Sequence, residues 1–383
     1  MKTPPFAFAA LFAAVSATSS LEIHAVAPSY IWNALVDSQP VSQAATFSLR
    51  GIELSSDDTS VYATWIQNTG LNSGTPYRRV IRYDVNSGNA LNTLTLPFAG
   101  SGQQAKSIAT DDRGYVYIGS GDRSSETPYI QSYDAALNAV SGKVITPASY
   151  SDIYQRRVGG LAVQKSGPNY FLYTSRESEA GKFYLQRYDV TTPQTPTLDT
   201  SFNAGAGFFN LATLSAFTGA GFPRGMEVGV DGTLYVTSDD PTGTGASSGR
   251  IYRIAPDLST VVSATVRGAF DVSLYGTELY VSRFENGNAA GIDVLDASNL
   301  SFVTGLTGTG TFSRTNTDND NGYSGIDVAS DGRIFVADQV YNTDVSFDRL
   351  LVATPTPEPT SIALLVTVAL GLASRRRRAA RLG

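Results

Sequence analysis

The chain has 383 residues, of which 42% are hydrophobic and only 16% charged, and its formal net charge is −6. It contains no cysteine, which excludes disulfides and thiolate chemistry. Its single histidine is His24, so no metal site with histidine or cysteine ligands can form from the residues that follow it. Without the first 25 residues and the tail from Thr360, Lys plus Arg falls to 22 and Asp plus Glu to 33, a charge of −11. Such a body repels phosphate backbones, so no nucleic-acid partner is expected.

The first 25 residues have the layout of a secretory signal peptide. Lys2 precedes the apolar stretch Pro4–Val15, and small residues follow. The pattern is compatible with cleavage after Ala17 or after Ala25. A buried N-terminal helix is the alternative, but two consecutive prolines and an Ala/Ser-rich end fit a discarded leader better. We therefore expect an exported protein with a signal peptide over 1–25 and an N-terminal extension over 26–43.

The body, over residues 44–354, repeats itself. In each of six segments, apolar residues alternate with small or polar ones, a polar or glycine-bearing turn follows, and a second strand rich in apolar and aromatic residues begins. The segments begin at Gly51, Ser107, Gly160, Gly225, Phe270 and Gly325. Asp231-Gly232 and Asp331-Gly332 are tight-turn signals, because glycine accepts a positive φ at little cost.

Third and fourth strands extend most of these units. The third is predicted over 80–85, 130–135, 185–190, 251–255, 292–295 and 349–352, and the fourth over 91–96, 140–145, 261–266 and 300–304. Four short antiparallel strands in roughly 45–65 residues are typical of a β-propeller blade. We predict an all-β fold, a β-propeller of six four-stranded blades. The last unit lacks a fourth strand, and we expect Ala45–Arg50 to supply it and close the ring. An open solenoid or a two-sheet sandwich is the alternative.

The units resemble NHL and gluconolactonase-type propeller repeats, most clearly over Gly225–Ser238 and Gly325–Asp338. The resemblance implies the fold and, more weakly, an activity, because propellers serve as enzymes, binding modules and scaffolds. Gluconolactonase-type enzymes hold one metal ion on carboxylate and amide oxygens at the axial mouth. Residues of the right type near the first strand of a unit are Glu53, Glu227, Asp271 and Asp327. The alternative is that they are outward-facing or solvated groups of short strands.

An acidic loop precedes the last unit. Asn316, Asp318 and Asp320 stand at alternate positions, and Asp327 occupies position 12 of a calcium-loop pattern. Asn321 takes the place of the usual glycine, and Asp327 that of the bidentate Glu. The loop is therefore compatible with bound calcium or with a solvated connection. The sequence singles out no catalytic residue.

The C-terminal segment, over 355–383, has three parts: a proline-rich motif, the uncharged stretch Ile362–Ala373 and a basic run. The motif consists of Pro357, Glu358 and Pro359, and the basic run of Arg375, Arg376, Arg377 and Arg378. The apolar stretch predicts a short transmembrane helix over about 360–374, and the four arginines are expected on the cytoplasmic side, where they stop transfer.

This order of motif, apolar stretch and basic run closely resembles the PEP-CTERM sorting signal of Gram-negative envelope proteins. The resemblance implies an exosortase-type sorting enzyme as partner. It also implies inner-membrane anchoring before processing, then release to the cell surface or medium. An ordinary anchor, or a basic tail on anionic lipid, is the alternative.

Together these features favour an exported envelope or extracellular-matrix protein whose propeller is a binding or scaffold module, with exopolysaccharide or another envelope component as partner. One alternative is a metal-dependent, lactonase-like hydrolase, which requires three or four acidic or amide side chains converging on the axis. A second alternative is a carbohydrate-binding propeller, which requires Tyr or Trp clusters on a rim.

Overall fold

The fold is all-β. The structure is a computed structural model and describes residues 29–37, 45–69, 77–96, 104–121, 129–145, 157–177, 184–211, 222–239, 249–285, 291–306, 321–340 and 347–356. These ranges contain strands and turns and no α-helix. In particular, no helix within them is long and apolar enough to cross a membrane. The signal-peptide region and the sorting motif lie outside the described residues.

After β1 (Tyr30–Asp37), the strands fall into consecutive antiparallel groups. The first sheet contains β2 (Ala45–Leu54), β3 (Ser60–Thr69), β4 (Tyr77–Asp84) and β5 (Ala90–Thr95). The second sheet contains β6 (Gln104–Thr110), β7 (Val116–Gly121), β8 (Tyr129–Tyr133) and β9 (Val144–Ile145). The third sheet contains β10 (Arg157–Ser166), β11 (Asn169–Glu177), β12 (Tyr184–Asp189), β13 (Thr197–Leu198) and β14 (Phe208–Asn210).

The fourth sheet contains β15 (Phe222–Val228), β16 (Leu234–Asp239), β17 (Arg250–Ile254) and β18 (Val261–Thr265). The remaining strands form one eight-stranded sheet with two halves. Its fifth-unit half contains β19 (Ala269–Tyr275), β20 (Glu278–Glu285), β21 (Gly291–Asp296) and β22 (Phe302–Leu306). Its sixth-unit half contains β23 (Asn321–Val328), β24 (Ile334–Val340), β25 (Phe347–Pro355) and β1. Two residue pairs between β20 and β23 join the halves.

The prediction that Ala45–Arg50 completes the last unit is wrong. These residues begin β2, which pairs along its length with β3 of the first sheet. The strand beside β25 is β1, from the region predicted to be an N-terminal extension. Trp32 anchors it, since its ring is buried and stacks on Tyr323 with ring centroids 6.0 Å apart. An N-terminal strand therefore does complete the last unit, but it is the preceding one.

The innermost strands, β2, β6, β10, β15, β19 and β23, contact one another in sequence, and β23 contacts β2. The contacts therefore form a closed circle, as in a propeller. Each inner strand also carries a register shift against its neighbour, at Leu49/Ile52 in β2 and at corresponding places in the other five. Such a bulge frees a backbone N–H from the ladder. A hydroxyl of the second strand accepts that N–H in several units, for example Thr64 from Gly51 at 2.8 Å and Thr237 from Gly225 at 2.8 Å.

Apolar side chains fill the seams between neighbouring sheets. One buried cluster joins the first and second sheets through Val80, Ile108 and Ile118, and another joins the first sheet to the sixth-unit half through Leu49 and Phe335. Similar clusters join the second to the third sheet, the third to the fourth, and the fourth to the fifth-unit half. Packed seams of this kind supply the cohesion that a cysteine-free chain cannot obtain from disulfides.

The chain divides into two compact units. The larger, Ile31–Thr354, contains the sheets. The smaller combines residues 1–30 with 355–383, and its described part consists of Ser29, Tyr30, Pro355 and Thr356. Within it, the backbone N–H of Thr356 donates to the carbonyl of Ser29 at 2.7 Å.

Candidate functional site: an acidic cavity among the inner strands

A cavity of about 40 Å³ lies among the inner strands. All four carboxylates that the sequence suggested line it: Glu53, Glu227, Asp271 and Asp327. Arg50 and Arg224 line it too. A volume of this size accommodates roughly three water molecules. The cavity therefore brings the predicted acidic residues together in a small polar space at the centre of the circle of inner strands.

Three of the carboxylates occupy equivalent positions in their units. Glu53 pairs with Tyr62, Glu227 with Tyr235 and Asp327 with Phe335, in each case the first aromatic residue of the second strand. Because side chains in a strand alternate between faces, a shared register places these three acids on the same face of their sheets.

Asp271 is different, because it stands where four of the other five units have glycine. Its backbone N–H donates to the hydroxyl of Ser282 at 3.0 Å, as that of Gly225 does to Thr237. A Cβ on Gly225 would lie 2.1 Å from Oδ1 of Asp271 and 2.6 Å from its Cα. The absence of a side chain at residue 225 therefore makes room for the carboxylate of Asp271.

Each carboxylate binds backbone amides of the neighbouring inner strand. Asp271 accepts the N–H of Ile326 at 3.2 Å, and Asp327 accepts that of Leu54 at 2.7 Å. Glu53 accepts the N–H of Thr110 at 3.1 Å. These bonds run from β19 to β23, from β23 to β2 and from β2 to β6, so the acids connect successive inner strands.

The remaining bonds extend this series of links to β15. Glu227 accepts the N–H of Val228 at 2.7 Å and a backbone hydrogen bond from Leu274 in β19. Asp327 also accepts the hydroxyl of Ser273 at 2.9 Å, which holds the β23 carboxylate against β19 as well as against β2. The carboxylates thus satisfy amide groups that the bulged inner strands leave outside their own ladders.

Burial favours the neutral form of these acids. It raises the pKa of Glu227 to about 8 and that of Asp271 to about 7, with the charge of Asp327 adding to both shifts. Burial also raises the pKa of Asp327. Burial first, and then the charges of Asp327 and Glu227, raise the pKa of Glu53 well above its usual range. At neutral pH the cluster therefore carries fewer than four negative charges.

The acids share a cavity without forming a metal-binding cluster. Within the described part of the chain, no three acidic or histidine side chains are grouped closely enough to hold a metal ion. Their oxygens bind backbone amides instead. Of the calcium-loop residues, Asn316, Asp318 and Asp320 lie outside the described residues, and Asp327 is the strand residue already placed in the cavity. The calcium site stays a prediction.

The predicted sorting signal falls outside the part of the chain that the structure describes, which ends at residue 356. This applies to the transmembrane helix predicted over about 360–374 and to seven named residues. They are Pro357, Glu358 and Pro359 of the motif and Arg375, Arg376, Arg377 and Arg378 of the basic run. Sorting and anchoring through these residues therefore stay predictions.

The repeat carries one further signal, a hydroxyl residue at a fixed position of the second strand. Two positions after the first aromatic residue of the second strand, Thr64, Thr237 and Ser282 bind the freed amide of the inner strand. This recurring hydroxyl marks the bulge. It thereby also marks the glycine position that Asp271 occupies.

Comparison with known proteins identifies the fold and no family. No family model and no curated protein matches the chain. Among solved structures, a glucose dehydrogenase matches with a TM-score of 0.51 and 10% identity, over 85% of this chain and 100% of that one. A tail fiber of Staphylococcus aureus phage P68 matches with a TM-score of 0.38 and 9% identity, over 86% of this chain and 54% of that one. At such identity the glucose dehydrogenase match supports a propeller-like all-β fold and carries no activity.

Proposed function

We propose that the chain is an exported cell-envelope or extracellular-matrix protein whose body is a six-bladed propeller serving as a binding or scaffold module. The leader-like N-terminus and the C-terminal segment resembling PEP-CTERM signals support export, inner-membrane anchoring and processing by an exosortase-type enzyme. The low share of charged residues and the acidic body fit an extracellular protein of this kind.

The strand order supports six blades. The first four sheets each supply one blade, and the two halves of the eight-stranded sheet supply two more, because only two residue pairs join them. The circle of contacts among six inner strands gives the same number. In this arrangement β1 closes the ring by pairing with β25 of the last blade.

One observation favours the binding or scaffold role over the hydrolase. The carboxylates of the acidic cavity bind the amides of neighbouring inner strands. A metal-dependent hydrolase directs several acidic oxygens at one ion. Here Asp271, Asp327 and Glu53 direct theirs at Ile326, Leu54 and Thr110. The acids therefore contribute to holding the blades together.

Export and sorting are tested by expressing the full chain in a Gram-negative host with and without an exosortase. With the enzyme, we expect a released form that lacks both the N-terminal leader and the basic run Arg375–Arg378 by mass spectrometry. Without it, the chain stays in the inner membrane. A variant with Pro357-Glu358-Pro359 replaced by alanines is expected to stay in the membrane in both hosts. Recovery of an intact chain from the cytosol would refute export.

A metal-dependent hydrolase of lactonase type is the second candidate, and the shared cavity favours it. Four carboxylates with raised pKa values surround one small space, and perturbed groups of this kind cluster at active sites. Purified protein is tested against a panel of small lactones with calcium, manganese or zinc. Turnover that requires a metal ion and is lost in Asp271→Asn would establish the activity, and no turnover with any of the three ions would leave the binding role.

A further inference from the structure

A second cavity lies between the first and second sheets, near the solvent. Its volume is about 260 Å³. The turn after β2 and the turn after β6 line it from two sides, and Arg82 on β4 lines it from a third. Asp112, whose side chain is 48% exposed, stands at its open edge. The space is several times larger than the acidic cavity among the inner strands and is accessible from the surface.

Hydrogen bonds close the corresponding gap at three other seams. Ser330, in the turn after β23, donates its N–H to Asp58 at 2.8 Å and accepts the hydroxyl of Tyr275 at 3.3 Å. Between the second and third sheets, Asp112 accepts from Lys165 at 2.7 Å and from Tyr170 at 2.5 Å. Between the first and second sheets, no hydrogen bond among the described residues joins the two turns, and the 260 Å³ cavity separates them.

Groups that bind hydroxyls line this gap. Asp57 accepts bonds from Ser55 and Thr59 through Oδ1, while its Oδ2 has no hydrogen-bond partner among the described residues. Arg82 donates from Nε to Ser60 at 2.8 Å and from Nη1 to the carbonyl of Ala135 at 3.1 Å, and no described residue accepts from its Nη2. A carboxylate oxygen is an acceptor and a guanidinium nitrogen a donor. A ligand with several hydroxyl groups can satisfy both at once.

The charges around the gap disfavour a simple ion. The carboxylates of Asp57, Asp111 and Asp112 face the guanidinium groups of Arg82 and Arg113, and the Asp111–Arg113 pair is bonded at 2.6 Å. Asp112 is also paired with Lys165 at 2.7 Å, so the acidic and basic groups around the gap balance and leave no net charge to attract an ion. No three acidic residues in the described ranges are grouped closely enough to hold a cation. The lining thus suits a neutral polar molecule.

We propose that the cavity between the first two sheets binds a single neutral hexopyranose unit of a polysaccharide, with Asp57 accepting from sugar hydroxyls and Arg82 donating to them. Its volume is just below that of drug-sized sites and suits one sugar ring. Its position at the surface admits one residue of a longer chain. The inference rests on the proposed binding role and gives that role a ligand class and a location.

The test is saturation-transfer difference NMR on the full chain, purified in a sugar-free detergent. The probes are the methyl glycosides of glucose, galactose and mannose. We expect millimolar binding of at least one of them, since few groups contact a single ring. Asp57→Asn keeps the size of the side chain and its turn-capping oxygen but removes the charged acceptor, and it is expected to weaken binding about tenfold.

A matched control is Asp257→Asn. Asp257 caps a turn in the fourth sheet in the same way, accepting the N–H of Ser259 at 3.1 Å and its hydroxyl at 2.7 Å. This variant is expected to bind sugar as the parent does. A second variant, Ser56→Trp, adds bulk at an exposed position of the lining and is expected to abolish binding while the urea midpoint of unfolding stays unchanged.

Three results would overturn the inference: no binding of any glycoside at about 100 mM, an equal loss in Asp57→Asn and Asp257→Asn, or retained binding in Ser56→Trp. Each outcome is independent of the localisation experiment, so a failure here leaves the export proposal to its own test.

Discussion

The four carboxylates of the acidic cavity make the stability of the protein depend on pH in a direction opposite to that of ordinary surface acids. The pKa of Asp271 rises from its usual 3.8 to about 7 in the folded protein, and that of Glu227 from 4.5 to about 8. Between the unfolded and folded values, the folded state holds a proton that the unfolded state has released. Stability is then fully present below the unfolded pKa and is lost as pH rises through the folded pKa.

The magnitude follows from the width of that window. One group contributes about 1.4 kcal/mol per pH unit. From pH 5 to pH 8, the folded protein keeps the proton of Asp271 over about two pH units, and that of Glu227 over nearly all three, while the unfolded chain has released both. Because the acids repel one another, their contributions do not add fully. We expect the free energy of unfolding to fall on the order of 4 kcal/mol between pH 5 and pH 8.

Other groups do not mask this effect. The body contains no histidine, the residue type that ordinarily titrates in this range. Exposed turn acids such as Asp84, Asp257 and Asp296 have lowered pKa values because hydrogen bonds stabilise their charged forms. Their contribution is present above the unfolded pKa and is lost only as pH falls through the folded value. These acids therefore change the free energy of unfolding only below about pH 4.

The assay is urea unfolding at constant ionic strength in EDTA, followed by tryptophan fluorescence. Both tryptophans, Trp32 and Trp65, are buried in the folded protein and report on its loss. The variant Asp271→Asn removes one titrating group and is expected to reduce the slope, while Asp257→Asn leaves it unchanged above pH 5. A free energy of unfolding that is constant or rises from pH 5 to pH 8 would refute the reasoning.

Three further substitutions test the packing, each by its urea unfolding curve. Trp32→Ala removes the anchor of β1 and is expected to cost about 3–5 kcal/mol; an unchanged midpoint would show that β1 does not close the ring. Gly225→Ala places a Cβ against Asp271 and is expected to destabilise by at least about 3 kcal/mol, whereas Gly142→Ala, with nothing within 4 Å, is expected to change stability little. Asp338→Asn weakens the ion pair of a buried carboxylate with Arg349 and is expected to cost about 3 kcal/mol, and a loss below about 1 kcal/mol would contradict that role.

The strand–turn–strand units could be predicted because their signals are local. Asp231-Gly232 and Asp331-Gly332 were expected to form tight turns, and Gly232 and Gly332 do have positive φ values of 87° and 82°. In such units the alternation of apolar residues and the turn glycine act within a dozen residues of each other. Short-range patterns of this kind specify a hairpin without information from the rest of the chain.

The closing strand was mispredicted because its pairing is not local. Ala45–Arg50 and Ile52–Leu54 belong to one strand, β2, interrupted by the bulge between Leu49 and Ile52. The bulge breaks the alternation, and the first half of the strand therefore resembled a separate element. Nothing within β1 itself specifies β25 as its neighbour, since that pairing depends on the completed ring.

The site was predictable in composition but not in geometry. The acids at equivalent positions, Glu53, Glu227 and Asp327, follow from the repeat, and the structure places them in one cavity. That their oxygens bind backbone amides depends on how closely the neighbouring inner strand lies in the folded chain. The cavity between the first two sheets depends on the spacing of the turns after β2 and β6, which no hydrogen bond among the described residues joins. Neither feature is encoded within a single unit.

The pairing of β1 with β25 has a consequence for the timing of folding. Among the strands that the structure describes, β1 is synthesised first and β25 last. The other units can form from neighbouring residues as they emerge, but β1 must wait for almost the whole body before its partner exists. Closing so long a loop is slow, and an unpaired strand is prone to wrong partners in the meantime. The pairing of β1 with β25 is therefore expected to be the last step in the folding of this protein.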